Sequence, residues 1–81
     1  MDHSLKDKTV CIAGLGYVGL PLTLAFSEHL PTIGFDVDAG KIRELIHAND
    51  NPGIAFTDNP DDIIIADFII IAVPGPGHQI E

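Results

Sequence analysis

The sequence predicts an α/β fold built on a parallel sheet, and three observations predict it. Short β-branched apolar runs alternate with segments whose apolar residues recur at three- and four-residue spacing. A glycine-rich hexamer, Gly14-Leu15-Gly16-Tyr17-Val18-Gly19, falls between the first such run and the first helical segment. An acidic residue, Asp36, closes the second strand 22 positions after Gly14 (36 − 14). Connections this short imply right-handed crossovers. The expected layout is a three-layer half-domain with a parallel sheet of about four strands, ordered 3-2-1-4.

The elements follow in order along the chain. Thr9 to Ala13 is apolar and partly β-branched, stops at glycine, and reads as a strand buried on both faces. From Tyr17 to Leu30 the positions Val18, Leu22, Ala25, Phe26 and His29 or Leu30 mark one helix face, with Pro21 tolerated in the first turn. Pro31 ends that helix, and Thr32 to Val37 supplies a second strand in which Gly34 allows close packing. Asp38 suits an N-cap for a second helix that buries Ile42, Leu45 and Ile46 and solvates Lys41, Arg43 and Glu44. Ile54 to Thr57 is a short third strand. Asp58-Asn59-Pro60-Asp61-Asp62 then supplies capping and first-turn residues, but the β-branched Ile63-Ile64-Ile65 favours a single turn or irregular connector as much as a helix. Phe68 to Val73 is the clearest strand, broken by Pro74-Gly75-Pro76-Gly77.

Composition sets the limits. With 81 residues the chain is one small unit, a single domain over 1–81 that the expected fold leaves incomplete, behind a polar leader over 1–8. Four Lys plus Arg against twelve Asp plus Glu give a net charge of −8, which repels phosphate backbones and anionic bilayers, so neither nucleic acid nor membrane is an expected partner. An anion must then bind through local donors such as a helix N-terminus. One cysteine, Cys11, forms no intrachain disulfide, and a reducing, cytoplasmic setting fits. No apolar run approaches the roughly 20 residues of a spanning helix.

The hexamer fits G-x-G-x-x-G, a weak signal alone that gains weight from the strand before it, the helix after it and the acidic residue beyond. Each glycine has its own reason: Gly14 for the tight turn, Gly16 for backbone approach to a pyrophosphate, Gly19 for helix packing on the strand. Asp36 suits the adenosine ribose hydroxyls, and its charge opposes a 2′-phosphate, so the cofactor read from it is NAD rather than NADP. Lys41, five positions on, offsets part of that repulsion. The competing reading is structural, with glycines that merely turn the chain and an Asp36 that caps the second helix. Elsewhere structural roles win. Cys11 lies in a buried strand and reads as a small core residue. His3, His29, His47 and His78 share no ligand spacing, so no metal site is expected. Asp58, Asp61 and Asp62 read as first-turn helix charge, and no catalytic set is assigned.

From Val10 to Leu22 the run Val-Cys-Ile-Ala-Gly-Leu-Gly-Tyr-Val-Gly-Leu-Pro-Leu resembles the opening of the UDP-glucose/GDP-mannose dehydrogenase family. Further landmarks, from Thr32 to Asp38 with Lys41-Ile42, Phe56 to Pro60, and Ala66 to Pro74, are similar to that family's N-terminal cofactor domain. Within the family the style is most similar to dehydrogenases acting on UDP-N-acetyl-hexosamines. The resemblance implies a Rossmann-like fold and a place in polysaccharide biosynthesis, where members oxidise the C6 alcohol of a nucleotide sugar with NAD through a catalytic cysteine. That cysteine and the sugar-binding half have no counterpart here, so the resemblance implies cofactor binding without catalysis by this stretch alone. It places Gly14, Leu15, Gly16, Tyr17, Val18 and Gly19 at the pyrophosphate, Asp36, Val37 and Lys41 at the adenosine ribose, and Val73 and Pro74 near the other ribose.

Two departures stand out. Gly75-Pro76 replaces the family's usual Thr-Pro, and the connector between Asp50 and Phe56 is shorter than usual, as in a compacted or truncated form. The apolar strand Phe68 to Val73 is expected to lie at a sheet edge, where a second copy pairs as a homodimer. Two other readings remain open: the cofactor domain of another Rossmann dehydrogenase, against which Tyr17-Val18 and Leu20-Pro21 argue, and a non-catalytic remnant or interaction module that keeps the fold.

Overall fold

A computed structural model describes residues 7–72 of the chain. Four parallel strands form one sheet: β1 (Val10–Ala13), β2 (Thr32–Phe35), β3 (Ile54–Thr57) and β4 (Phe68–Ile71), in the order β3-β2-β1-β4. Register runs level across the sheet, with Val10 opposite both Thr32 and Phe68, and Ala13 opposite both Phe35 and Ile71. The topology is the expected one, an α/β Rossmann-like half-domain. Val73, and with it the expected last residue of β4, lies outside the described residues.

One face of the sheet carries the core. Val10 and Ile12 pack with Leu15 and Ile42, and Leu22, Phe26, Leu30, Leu45, Phe56 and Ile70 close around them. Leu22 and Phe26 come from α1 (Gly19–Ser27) and Ile42 and Leu45 from α2 (Ala39–Ala48), so both helices cover the same face. Such sharing follows when two successive right-handed crossovers step in one direction across a sheet. The other face receives a 3-10 helix, Pro60–Ile65, whose Asp61, Asp62 and Ile65 border Ile33 and Ala55. Asn59 caps it by accepting from the Asp61 N–H at 2.9 Å. Three β-branched isoleucines in succession resist a regular helix, and the tighter, shorter form is the outcome.

Several boundaries contract from the sequence expectation. α1 starts at Gly19 instead of Tyr17, and Val18 occupies the N-cap position exposed to solvent, without a side-chain cap. Its buried side is Gly19 and Thr23 with Leu22, Phe26 and Leu30 alongside, while Ala25 and His29 face solvent. Thr23 is sealed because its Oγ1 donates to the Gly19 carbonyl at 2.8 Å, a threonine bond to the preceding turn. In α2 Ile42 is buried and Leu45 half-buried, but Ile46 is exposed, since a helix covering two strands lacks a third wall. β2 ends at Phe35, leaving Val37 exposed.

Other expectations hold in detail. Asp38 caps α2 by accepting from the Lys41 N–H at 3.0 Å. A Cβ at Gly34 would stand 2.8 Å from the Phe56 ring, so glycine is what lets that ring lie across β2. At the amino ends of the strands the turn after α2 is tied by its own amides. Asn51 donates to the Ser27 Oγ at 3.1 Å and accepts from the Gly53 N–H at 2.8 Å, and Asn49 donates to the Ile54 carbonyl at 3.3 Å.

Candidate cofactor-binding site

The site is built where β1 ends. Gly14 has φ 103°, a left-handed backbone that favours glycine, and its N–H still donates to the Phe35 carbonyl at 2.8 Å. The chain turns sharply there and sends Leu15 into the core. It then climbs past Gly16 and Tyr17 to open α1. A Cβ at Gly19 would lie 1.6 Å from the Gly14 carbonyl oxygen, so the helix start rests on the turn with no room for a side chain. By contrast, a Cβ at Gly16 meets nothing within 4 Å. Among the described residues, the N–H groups of Gly16, Tyr17, Val18 and Gly19 donate to no protein acceptor. That is the arrangement an anion requires at a helix N-terminus.

Asp36 stands beside this turn at the end of β2. Its Oδ2 accepts from the Leu15 N–H at 2.9 Å and its Oδ1 from the Asp38 N–H at 2.9 Å, while the Lys41 Nζ lies 3.6 Å from Oδ2. The Asp36 side chain is 13% exposed. Burial pushes its carboxyl up, but the two backbone N–H groups and the Lys41 ammonium outweigh burial and hold it below the ordinary aspartate value. Asp36 is thus ionised at neutral pH. Lys41 in turn donates to the Leu15 carbonyl at 3.4 Å.

A cleft of about 360 Å³ follows from this geometry, lined by Ala13, Gly14, Leu15, Gly16, Phe35, Asp36, Val37 and Lys41. A second opening of about 570 Å³, lined by Leu15, Gly16, Tyr17, Leu20, Pro21 and Lys41, adjoins it across Leu15, Gly16 and Lys41. Both fall in the range of small-molecule sites, roughly 300–1,000 Å³. Of the residues expected from sequence, Gly14, Leu15, Gly16, Asp36, Val37 and Lys41 meet around the first cleft, and Tyr17, 97% exposed, borders the second. Gly19 acts by packing, and Val18 lines neither opening. Val73 and Pro74 lie outside the described residues. Sequence reasoning missed Ala13 and Phe35 as floor, and it missed the bonds from Asp36 to Leu15 and Asp38. The second of these had a signal, since an Asp two residues before another backbone N–H commonly closes such a turn.

Cys11 is fully buried, and burial pushes its thiol up, as expected of a core residue. Among the described residues no group of three His, Cys, Asp or Glu side chains is placed to hold a metal, and no helix is long and apolar enough to cross a membrane.

Parallel order 3-2-1-4, a glycine turn into α1 and an acidic residue at the end of β2 define a protein of the Rossmann-like class. Within that class the comparisons with known proteins are specific. The chain is 40% identical to Protein CapL of Staphylococcus aureus over 81 residues, taking in 86% of this chain and 19% of CapL. It is 34% and 35% identical to the UDP-N-acetyl-D-glucosamine 6-dehydrogenases of Pseudomonas aeruginosa and Salmonella typhi, each over 84 residues, 89% of this chain and 20% of the relative. The chain belongs to the nucleotide-sugar dehydrogenase family and spans about a fifth of the length of these relatives. No protein-family model matches it, and no solved structure does.

Proposed function

We propose that this chain binds NAD as the cofactor-binding part of a cytoplasmic nucleotide-sugar 6-dehydrogenase, of the kind that acts on a UDP-sugar. The observation that carries this reading is a cleft at the carboxyl ends of β1 and β2 where the glycine turn, through Gly14 and Gly16, meets the Asp36 carboxylate, directly before the helix start whose N–H groups are unpaired. The α1 N-terminus serves the pyrophosphate, which answers how a chain of net charge −8 attracts an anion. Asp36 orients the adenosine ribose, and Val37 borders the adenosine side of the cleft. Bound NAD supplies a hydride acceptor for oxidation of a CH–OH group. Nothing in the described residues supplies the nucleophile, since Cys11 is sealed in β1, so this stretch binds and orients without catalysing.

Calorimetric titration with NAD tests the reading, with Gly16→Val as control. The Gly16 site is open, so that variant is expected to keep the wild-type melting temperature while its side chain blocks the pyrophosphate path and abolishes binding. Equal NAD binding by both proteins, or none by a folded wild type, rejects the proposal.

A second reading rests on β4. Among the described residues that strand pairs only with β1, carries no charge, and leaves Phe68, Ile69 and Ile71 in solvent. Such an edge is unprotected. The partner this favours is a second copy of the chain, joined edge to edge, and a light-scattering mass of one chain at about 100 μM rejects it.

A further inference from the structure

The outer edge of β4 carries a definite pattern of backbone groups. In a parallel pair, alternate residues turn both their N–H and C=O toward the neighbouring strand. The Phe68 N–H donates to the Thr9 carbonyl at 3.2 Å and the Ala72 N–H to the Ala13 carbonyl at 2.8 Å. Phe68, Ile70 and Ala72 therefore address β1, and Ile69 and Ile71 turn their N–H and C=O groups away from it. Among the described residues no strand flanks β4 on that side. Two donors and two acceptors thus stand two residues apart, centred on Ile70. Such a set reads the same in reverse, so an antiparallel copy of itself satisfies every member.

Resting on the second-copy reading above, we infer that β4 is the seam of a two-fold dimer in which Ile69 pairs with the partner's Ile71, and Ile71 with the partner's Ile69, while Ile70 faces its own copy across the axis. Four interchain hydrogen bonds result, and two four-stranded sheets join into one. Charge favours this occupant over a cationic strand. The acid nearest the seam, Asp67, already accepts from the Thr9 N–H at 2.8 Å, and Phe68 to Ala72 carry no charge. In the inferred register the two copies of Asp67 lie six residues apart, about 20 Å, beyond the Debye length of about 8 Å at physiological salt. The net charge of −8 on each chain is therefore not concentrated at the contact. The approach is also open, because α1 packs over β1 and β2. A groove of about 570 Å³, whose lining includes Phe26, Leu30, Phe68 and Ile70, runs between α1 and this edge. A two-fold axis normal to the sheet keeps like faces together, so the groove meets its copy and forms one apolar trough across the seam. The pairing also covers Ile69 and Ile71, which are otherwise in solvent.

The test compares the whole wild-type chain with Ile71→Pro by light scattering at about 100 μM. Proline at 71 removes an N–H that points away from β1 and keeps an apolar side chain, so the strand itself tolerates it. The variant is expected to keep a cooperative melting transition while its mass falls from two chains to one. A two-chain mass that persists in the folded variant overturns the inference and leaves the second-copy reading standing, since side-chain faces then make the contact. Register is read by Ile70→Cys. Residues opposite each other in a non-hydrogen-bonded antiparallel pair lie about 4.5 Å apart between Cα atoms, within the span of about 4.4–6.8 Å that a disulfide bridges. Cys11 is sealed on the other face of the sheet and does not compete. Diamide, which takes up the two thiol hydrogens, is expected to join most Ile70→Cys chains covalently and to leave Ile46→Cys, exposed on α2 near β3, mostly single. Equal yields for the two variants, or none for either, overturn the register. A wild-type mass of one chain removes the second-copy reading and this inference together.

Discussion

β1 and β4 are equal in length, almost wholly aliphatic and bonded to each other from Val10↔Phe68 to Ala13↔Ile71, yet they inhabit different environments. Val10, Cys11 and Ile12 are sealed, whereas Phe68, Ile69 and Ile71 are 46%, 51% and 70% exposed. Composition does not explain the contrast, because β4 is the more hydrophobic of the two. Position does. β1 has a strand on each side and α1 over one face, while among the described residues β4 has a strand on one side only. Burial is conferred by neighbours, and apolarity records only that a strand is suited to having them.

The largest expected difference between the two strands is energetic. Ile12→Ala opens a cavity in a closed site and is expected to cost about 3–4 kcal/mol. Ile71→Ala truncates an exposed chain and should stay within about 0.5 kcal/mol. Urea unfolding of both variants reads the difference, and equal losses would break the comparison by showing that β4 is covered in solution. Next in size is association. Ile71→Lys places charge on the bare edge and is expected to return a two-chain light-scattering mass at about 100 μM to that of one chain, leaving the melting temperature nearly unchanged. A mass unaffected by the substitution moves the contact away from β4.

The smallest effect sharpens the picture at the carboxyl end of β1. The Asp36 carboxyl is held low in the folded chain, so its stabilising contribution is present above the unfolded aspartate value, about 3.9, and is lost as pH falls through the folded value. Asp36→Asn is therefore expected to be less stable than wild type at neutral pH, with the gap closing below about pH 4. Thermal unfolding between pH 3 and 7 measures it, and a gap that does not depend on pH would mean that the carboxylate charge plays no part.

The same contrast explains how much was legible in the sequence. Strand and helix identities were, because periodicity and punctuation are local: Pro31, Gly34 and the Asp38 cap act within a few residues of themselves. The sheet order was legible too, since a glycine hexamer after the first strand and an acid after the second restrict the topologies severely. Exposure was not. Val18 and Ile46 sit at apolar positions of their helical patterns but look outward, because a pattern names a face without saying how far the opposing wall extends. Nor was the inner life of the site. Asp36 was legible as a ribose acceptor, but its bond to Leu15 joins residues 21 apart in sequence and exists only because β1 and β2 end side by side.

The amide knot of Asn49, Asn51 and Ser27 lies at the opposite pole of the sheet from the cleft. The turn after α2 is closed by its own amides and by Ser27 at the end of α1, and none of these bonds reaches the glycine turn. The length of that turn can therefore change without touching a residue that lines the cleft. A protein engineer inherits the same freedom: the turn after α2 is the place to graft, tag or circularly permute this scaffold without disturbing the residues that face a cofactor.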